Sequence, residues 1–146
     1  MDLPYSRIKG GVCAPRGFQG SAVSCGIKNP DSDRLDLCLI YSEQECRSFG
    51  MFTQNRVKAA PVRISQTHLR TENVRAIITN SGNANACTGP NGMRDARNMT
   101  KETARLLSIK QREDADCSTG VIGLPIPMIR TEPHYGSLVE GLVAKK

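Results

Sequence analysis

The chain has 146 residues, of which 38% are hydrophobic and 23% are charged, and its formal net charge is +6. This length suits one domain, and the composition excludes the disordered class, which combines low hydrophobicity with high charge. No apolar run is long enough for a secretory signal or a membrane span, so the sequence predicts a cytoplasmic protein without membrane association.

The elements predicted in the first half are mostly strands. The pattern from 35 to 41 is the firmest, because its odd positions form one apolar face. An ordered loop rich in glycine, residues 10–18, precedes the strands. The predicted strands lie near residues 21–27, 35–41, 49–53 and 60–65.

Strand and helix alternate in the second half. A strand over 74–79 leads into the polar segment 80–89, and an amphipathic helix is predicted over 93–109. After a loop at 110–116 and a glycine-containing turn, Thr131 is placed as the cap of a last helix. We therefore treat residues 1–146 as a single mixed α/β unit, which is β-rich over 10–66 and alternates strand with helix over 67–146.

The positive charge does not indicate a nucleic-acid partner. Basic residues stand as dipeptides or spaced pairs with acids such as Asp95 and Glu102 among them, and only six aromatic residues are present. A solvated basic surface is the simpler interpretation.

The cysteines and histidines predict neither a disulfide framework nor a metal site. The chain contains no CxxC pair, and His68 and His134 stand alone, so the ligand spacings of a zinc site are missing. A nucleotide-binding glycine loop is missing too. The sequence therefore predicts no metal, no tightly bound cofactor and reduced thiols at six positions, Cys13, Cys25, Cys38, Cys46, Cys87 and Cys117.

Two segments could carry chemistry. In Ser118 to Gly123, a threonine hydroxyl stands beside a glycine whose backbone N–H a reacting group could approach, as stabilisation of an oxyanion requires. Asparagines alternate with small residues in Asn80 to Gly89 and could orient a polar substrate. Each segment also fits a structural turn that satisfies its own hydrogen bonds. Cys117 has no neighbouring base and is interpreted as a packing residue.

Taken together, these segments resemble the glutamate N-acetyltransferase family, also called ornithine acetyltransferases, which are bifunctional acetyltransferases of arginine biosynthesis. Order and spacing both match, and the likeness extends over about residues 10–130. The four matching segments are 11–18, 52–62, 80–89 and 118–123.

The resemblance implies a precursor that cleaves itself and exposes an amino-terminal threonine on a second, downstream β chain. That threonine would take acetyl from N-acetylornithine and pass it to glutamate, and some members also use acetyl-CoA as a co-substrate. By the same resemblance, Thr119 and Gly120 form the oxyanion hole, the fold is layered, and the complete enzyme is a heterotetramer of two α and two β chains. The nucleophile lies outside this sequence, which is expected to be an α-chain portion that is inactive alone.

An alternative function remains open at this level. A non-enzymatic domain that keeps the same fold could bind a small acidic ligand or a protein partner, and the net positive charge together with the missing nucleophile favours it.

Overall fold

The computed structural model describes residues 9–71 and 73–143. Its centre is one four-stranded sheet in the order β1-β2-β3-β4, and helices accompany it, so the mixed α/β class is confirmed. The strands are β1 (Phe18–Val23), β2 (Leu37–Ser42), β3 (Ala76–Asn83) and β4 (Asp114–Val121). The helices are α1 (Ala60–His68), α2 (Gly89–Leu107), α3 (Met128–Thr131) and α4 (Tyr135–Glu140).

Strand direction changes within the sheet. The β1–β2 and β2–β3 pairs are antiparallel, whereas β3 and β4 run parallel to each other. The crossover between the parallel strands contains α2, as a parallel connection requires. The carboxyl ends of β3 and β4 therefore meet at the same edge of the sheet.

The core lies between one face of the sheet and helices α2 and α4. Alternate residues of β2 and β3 point into it, among them Leu37, Leu39 and Ile78, each at most 1% exposed. Met99 of α2 and Leu138 of α4 meet them from the helical layer. The alternation predicted for 35–41 is thus confirmed in β2, although the strand begins at Leu37 and leaves Leu35 exposed.

The opposite face of the sheet is less covered by the described residues. Cys38, Ile77 and Thr79 are only half-buried there, and Cys117 is exposed. Cys38 thus lies on this open face, whereas its neighbours Leu37 and Leu39 occupy the core. All six cysteines are unpaired in the structure.

Strand β1 is displaced towards the amino terminus relative to the predicted strand at 21–27. It pairs with β2 from Phe18 to Val23, and the chain then leaves the sheet. The Asp36 carboxylate accepts hydrogen bonds from the backbone N–H groups of Cys25 (2.7 Å) and Ile27 (2.6 Å). These N–H groups are therefore satisfied without a strand partner.

The strands predicted near 49–53 and 60–65 are wrong. Residues 49–53 have no regular structure, and Phe49 and Met51 are 90% and 91% exposed, so no neighbour covers an apolar face there. Residues 60–68 form α1, which begins with Pro61 in its first turn, where a missing N–H costs nothing.

Helix α2 confirms the helix predicted over 93–109 but begins four residues earlier, at Gly89. Pro90 lies in its first turn, so the residues interpreted as a preceding turn belong to the helix. It ends where Ser108 adopts a left-handed conformation, with φ of 55°. Neither this 19-residue helix nor any other described helix is long and apolar enough to cross a membrane.

The predicted cap of the last helix is also wrong. Thr131 is the final residue of α3, no side chain caps the turn that follows, and its hydroxyl is within hydrogen-bond distance of the Met128 carbonyl (3.3 Å). A 3-10 turn over Glu132–His134 connects α3 to α4. The chain therefore continues from one helical turn into the next instead of starting a new helix at Thr131.

Candidate active site

Thr119 and Gly120 lie near the carboxyl end of β4, so the glycine-containing turn predicted after residue 116 is wrong as far as Val121. Pairing with β3 keeps this segment extended as far as Val121, with Thr119 opposite Ser81 and Gly120 opposite Gly82. The carboxyl ends of adjacent parallel strands are where α/β folds assemble ligand sites. The two residues predicted to form an oxyanion hole are thus adjacent in such a position.

Only glycine fits at position 120. Its φ is +137°, in the region that other residues rarely adopt. An added Cβ would lie 2.5 Å from the backbone nitrogen of Asn83 and 2.6 Å from the carbonyl oxygen of Gly82. The β3 backbone therefore comes too close to tolerate any side chain.

A bulge in β3 accompanies this close approach. The register shifts at Gly82 and Asn83, so Asn83 is opposite both Thr119 and Val121. Bulges bend a strand and are frequent beside active sites. Gly82, with φ of +111°, has the backbone freedom that the bend needs. No pattern in the sequence identifies Gly82 as the partner of Gly120, although both lie in segments of small residues.

The Asn83 amide holds the loop that follows Gly120. Its Nδ2 donates to the carbonyls of Leu124 and Pro125, both at 3.0 Å, and its Oδ1 accepts from the backbone N–H of Asn85 at 2.7 Å. The Nδ2 of Asn80 donates to the Asn83 carbonyl at 2.8 Å. These contacts favour a bracing role over direct substrate binding for Asn80 and Asn83.

Asn85 continues this network towards α2. It has a left-handed φ of 45°, its Nδ2 donates to the Gly92 carbonyl (2.8 Å), and its Oδ1 accepts from the Thr88 hydroxyl (2.6 Å). The backbone N–H of Gly123 also donates to the Ala86 carbonyl at 2.8 Å. The loops after β3 and β4 are thereby fixed to each other.

The Thr119 side chain is exposed, and its hydroxyl makes no hydrogen bond to a described residue. The Ser118 hydroxyl, in contrast, is buried and has no hydrogen-bond partner among the residues that the structure describes. A free hydroxyl next to a glycine on an exposed strand end is chemically suited to donate to a substrate oxygen.

The remaining candidates do not assemble into a catalytic group. The His68 ring contacts the Asp114 carbonyl through Nδ1 (2.6 Å), and His134 contacts the Arg130 carbonyl in the same way (2.8 Å). Although Cys117 is exposed, partial desolvation by the surrounding chain and the nearby Asp116 carboxylate raise the pKa of its thiol, which disfavours a thiolate nucleophile. Within 9–71 and 73–143, no three His, Cys, Asp or Glu side chains are grouped to hold a metal.

Two buried carboxylates were missed because residues 110–116 were interpreted as a loop. Asp114 and Asp116 lie on the core face of β4, are 0% and 1% exposed, and their oxygens have no hydrogen-bond partner among the described residues. Burial raises the pKa of Asp116 to about 8 and that of Asp114 well above its usual range. The alternation Asp-Ala-Asp was the available signal for a strand with both acids on one face.

Comparisons with known proteins show the family to which the chain belongs. The ArgJ family profile matches residues 19–145. The arginine biosynthesis bifunctional protein ArgJ of Caldanaerobacter subterraneus is 46% identical over 121 residues, which cover 83% of this chain and 29% of that protein. The protein of the same name from Parasynechococcus marenigrum is 38% identical over 146 residues, covering 99% of this chain and 35% of that protein. The chain thus spans about a third of the length of these relatives.

Solved structures give the same result. Ornithine acetyltransferase from Mycobacterium tuberculosis, crystallised with ornithine, superposes with a TM-score of 0.88 and 41% identity, over 92% of this chain and 72% of that chain. The arginine biosynthesis bifunctional protein from Bacillus halodurans gives a TM-score of 0.82 and 35% identity, over 90% and 71%. The resemblance inferred from the four sequence segments is confirmed, and the chain belongs to the ArgJ family.

Proposed function

We propose that this chain supplies the oxyanion-stabilising part of an acetyltransferase of arginine biosynthesis. The observation that carries the proposal is the free Thr119 hydroxyl beside Gly120, at the exposed end of two parallel strands. The names of the relatives, which include arginine biosynthesis and ornithine acetyltransferase, support the assignment of the reaction.

The proposed reaction transfers acetyl from N-acetylornithine to glutamate through a threonine of the downstream chain. The threonine hydroxyl attacks the acetyl carbonyl, and its proton passes to the threonine's own free amine. The C–N bond then breaks, ornithine leaves with the proton on its amine, and acetyl remains as a threonine ester. The amine of glutamate attacks this ester and regenerates the hydroxyl. Acetyl-CoA would enter as an alternative donor to the same threonine.

Thr119 and Gly120 would act on the oxyanion that forms in each of these attacks. The Thr119 hydroxyl and the Gly120 N–H would each donate a hydrogen bond to the oxygen of the tetrahedral intermediate. Donors fixed in advance stabilise this charge more than they stabilise the planar carbonyl. The hydrogen bonds from Asn83 and Asn85 would keep the two donors in place.

The remainder of the protein is proposed to dock beside this site. Beyond the end of β4, the apolar side chains of Ile122 and Leu124 are 64% and 56% exposed. Such apolar groups next to a catalytic pair suit a protein interface. The downstream chain would bring its threonine to Thr119 there, and two such pairs would form the heterotetramer.

Replacing Thr119 with alanine in the complete, cleaved enzyme should lower kcat/KM for acetyl transfer by about 100-fold, because one oxyanion donor is lost. Acetyl transfer from N-acetylornithine to glutamate would be measured in steady state. The conservative variant Thr119→Ser keeps a hydroxyl and should retain activity within about tenfold.

Thr67→Ala is the matched control, since it removes an exposed threonine hydroxyl that bonds only to the Arg63 carbonyl (2.9 Å) on α1. Its activity should equal that of the wild type. An unchanged rate for Thr119→Ala would remove Thr119 from the site. Loss of activity in Thr67→Ala as well would assign the effect to folding.

A further inference from the structure

A groove of about 570 Å³ runs between α1, α2 and the 3-10 turn over Gln111–Glu113. Neither Thr119 nor Gly120 lines this groove. We call it the basic groove and define it by its five basic lining residues, Arg63, His68, Arg97, Lys110 and Arg112.

Among the residues that the structure describes, none with an acidic side chain lines the basic groove. Lys110 is the one member that forms an ion pair with a described residue, at 3.7 Å from the Glu113 carboxylate. Arg63, Arg97 and Arg112 make no ion pair with any described residue. Like charges around one cavity repel each other, so this arrangement is unfavourable until an anion enters.

The groove is held by the packing around it. Ile64 of α1 packs against Ala96 of α2, which fixes the two helices side by side. The Gln111 amide donates to the Arg97 carbonyl (3.0 Å) and to the Thr100 hydroxyl (3.2 Å), and so attaches the 3-10 turn to α2. The three elements that carry the arginines are therefore fixed relative to one another before any ligand binds.

The His68 ring is also held in one orientation, through its Nδ1 atom. Because a carbonyl only accepts, the 2.6 Å contact with Asp114 places a hydrogen on Nδ1. This contact leaves Nε2 as the ring nitrogen available to a ligand in the groove.

We propose that the basic groove binds a phosphorylated small molecule with at least two negative charges. Guanidinium groups match phosphate oxygens in a bidentate geometry, and three of them come from three different elements here. A second cavity of about 520 Å³ also has Arg63 and Met93 in its lining and adds Arg56 and Lys58. The positively charged surface is therefore larger than a single phosphate group and matches the size of a diphosphate.

The groove is distinct from the acetyl-transfer site. It adjoins the amino end of β4 at Asp114, whereas Thr119 lies five residues further along the strand. At roughly 3.3 Å per residue the two positions are about 17 Å apart. Binding in the groove therefore goes beyond the proposed oxyanion role and is tested separately from it.

The test is isothermal titration calorimetry of the 146-residue chain with inorganic pyrophosphate at constant ionic strength. We expect saturable binding with one site per chain. Arg63→Gln and Arg97→Gln should each weaken it about tenfold, since each removes a charge-assisted hydrogen bond. Thr119→Ala should leave it unchanged.

Arg94→Gln is the matched control. Arg94 is an exposed arginine of α2, the helix that carries Arg97, but it lies outside the groove and contacts Asp95 at 3.5 Å. It should bind pyrophosphate as the wild type does. Adenosine diphosphate and adenosine are titrated as further arms: tighter binding of the diphosphate identifies a nucleotide, and equal binding identifies free phosphates. The proposal is overturned by absent saturation, by equal weakening in Arg94→Gln, or by binding of adenosine alone.

Discussion

Position 120 shows how a missing side chain allows two strand ends to come together at a candidate site. Two strand ends come so close that the Gly120 Cα faces the backbone of Gly82 and Asn83 directly. This approach keeps the neighbouring N–H groups and the Thr119 hydroxyl on a fixed, exposed end of the sheet. The absence of a side chain at Gly120 thus keeps the strand end open and permits the close approach of β3.

Replacing Gly120 with alanine should destabilise the chain by about 3 kcal/mol, since strain from the positive φ adds to a clash with backbone that cannot move aside. The free energy of unfolding would be measured by urea denaturation. The variant should also lose acetyl transfer in the complete enzyme.

Two other glycines separate these causes. Gly123 has a positive φ of +84° but nothing within 4 Å of an added Cβ, so Gly123→Ala should cost only about 1 kcal/mol. Gly136 lies in α4 without either constraint, and Gly136→Ala should be neutral or stabilising by up to about 1 kcal/mol. Equal costs at all three positions would refute the steric explanation.

The sequence alone suggests Thr119 and Gly120 as candidates, whereas the residues that hold them in place could be found only from the structure. A hydroxyl beside a glycine is visible in one stretch of chain, and the matching segments gave it meaning. The register that places Gly82 opposite Gly120 depends on two strands 38 residues apart, and no local pattern specifies it. The asparagines were noticed for the same local reason, yet their partners could be identified only from the structure.

At the scale of elements, α1 covers the edge of β4. An edge strand exposes unpaired N–H and C=O groups, and Ser65 of α1 satisfies one such pair. The Asp116 N–H donates to the Ser65 oxygen (2.9 Å), and the Ser65 hydroxyl donates to the Asp116 carbonyl (2.6 Å). One side chain thus replaces a neighbouring strand at this position.

Ser65→Ala should therefore destabilise the chain by about 2 kcal/mol, because it leaves a buried donor and a buried acceptor unpaired. Thr67→Ala on the same helix removes an exposed hydroxyl and should change stability by less than about 0.5 kcal/mol. Urea denaturation of both variants makes the comparison. If the two variants had the same stability, Ser65 would have no role at the edge.

The error over α1 has a physical explanation. Val62 and Ile64 are β-branched, and a short apolar run with such residues also fits a strand. The buried positions Ala60, Pro61, Ile64 and Ser65 follow helical spacing, but Ser65 is polar and weakens that pattern. Its burial is explained by the β4 edge, which is a tertiary contact. The long helix α2 and the alternating strand β2 needed no such contact to be recognised.

The whole sheet is asymmetric in polarity as well as in cover. Its core face is apolar over β2 and much of β3 but carries Asp114 and Asp116 on β4, while its open face carries exposed Cys117 and Thr119. A buried carboxylate without a hydrogen-bond partner opposes folding when it is charged. The Ser118 hydroxyl lies near enough to lower the pKa of Asp116 somewhat, but it does not complete a hydrogen bond.

Stability should therefore fall as the pH rises from about 4 to about 8. Burial raises the pKa of Asp116 from its ordinary value of 3.8 to about 8 and raises that of Asp114 as well. Below 3.8 both states hold these protons, and the two groups add no pH dependence. At a pH between 3.8 and about 8, the unfolded chain has released protons that the folded chain still holds. Raising the pH over this range therefore favours unfolding. Above about 8 the Asp116 contribution becomes constant.

The urea concentration at the midpoint of unfolding, measured from pH 5 to pH 8, would show this decline. The double variant Asp114→Asn and Asp116→Asn should remove most of it, because neither amide ionises in that range. Asp33→Asn is the control for loss of charge alone, because Asp33 is exposed, and it should retain the full slope. A wild-type midpoint that rises with pH over this range would contradict the burial of unpaired carboxyl groups in β4. So would a slope that survives in the double variant, because it would have to come from other titrating groups.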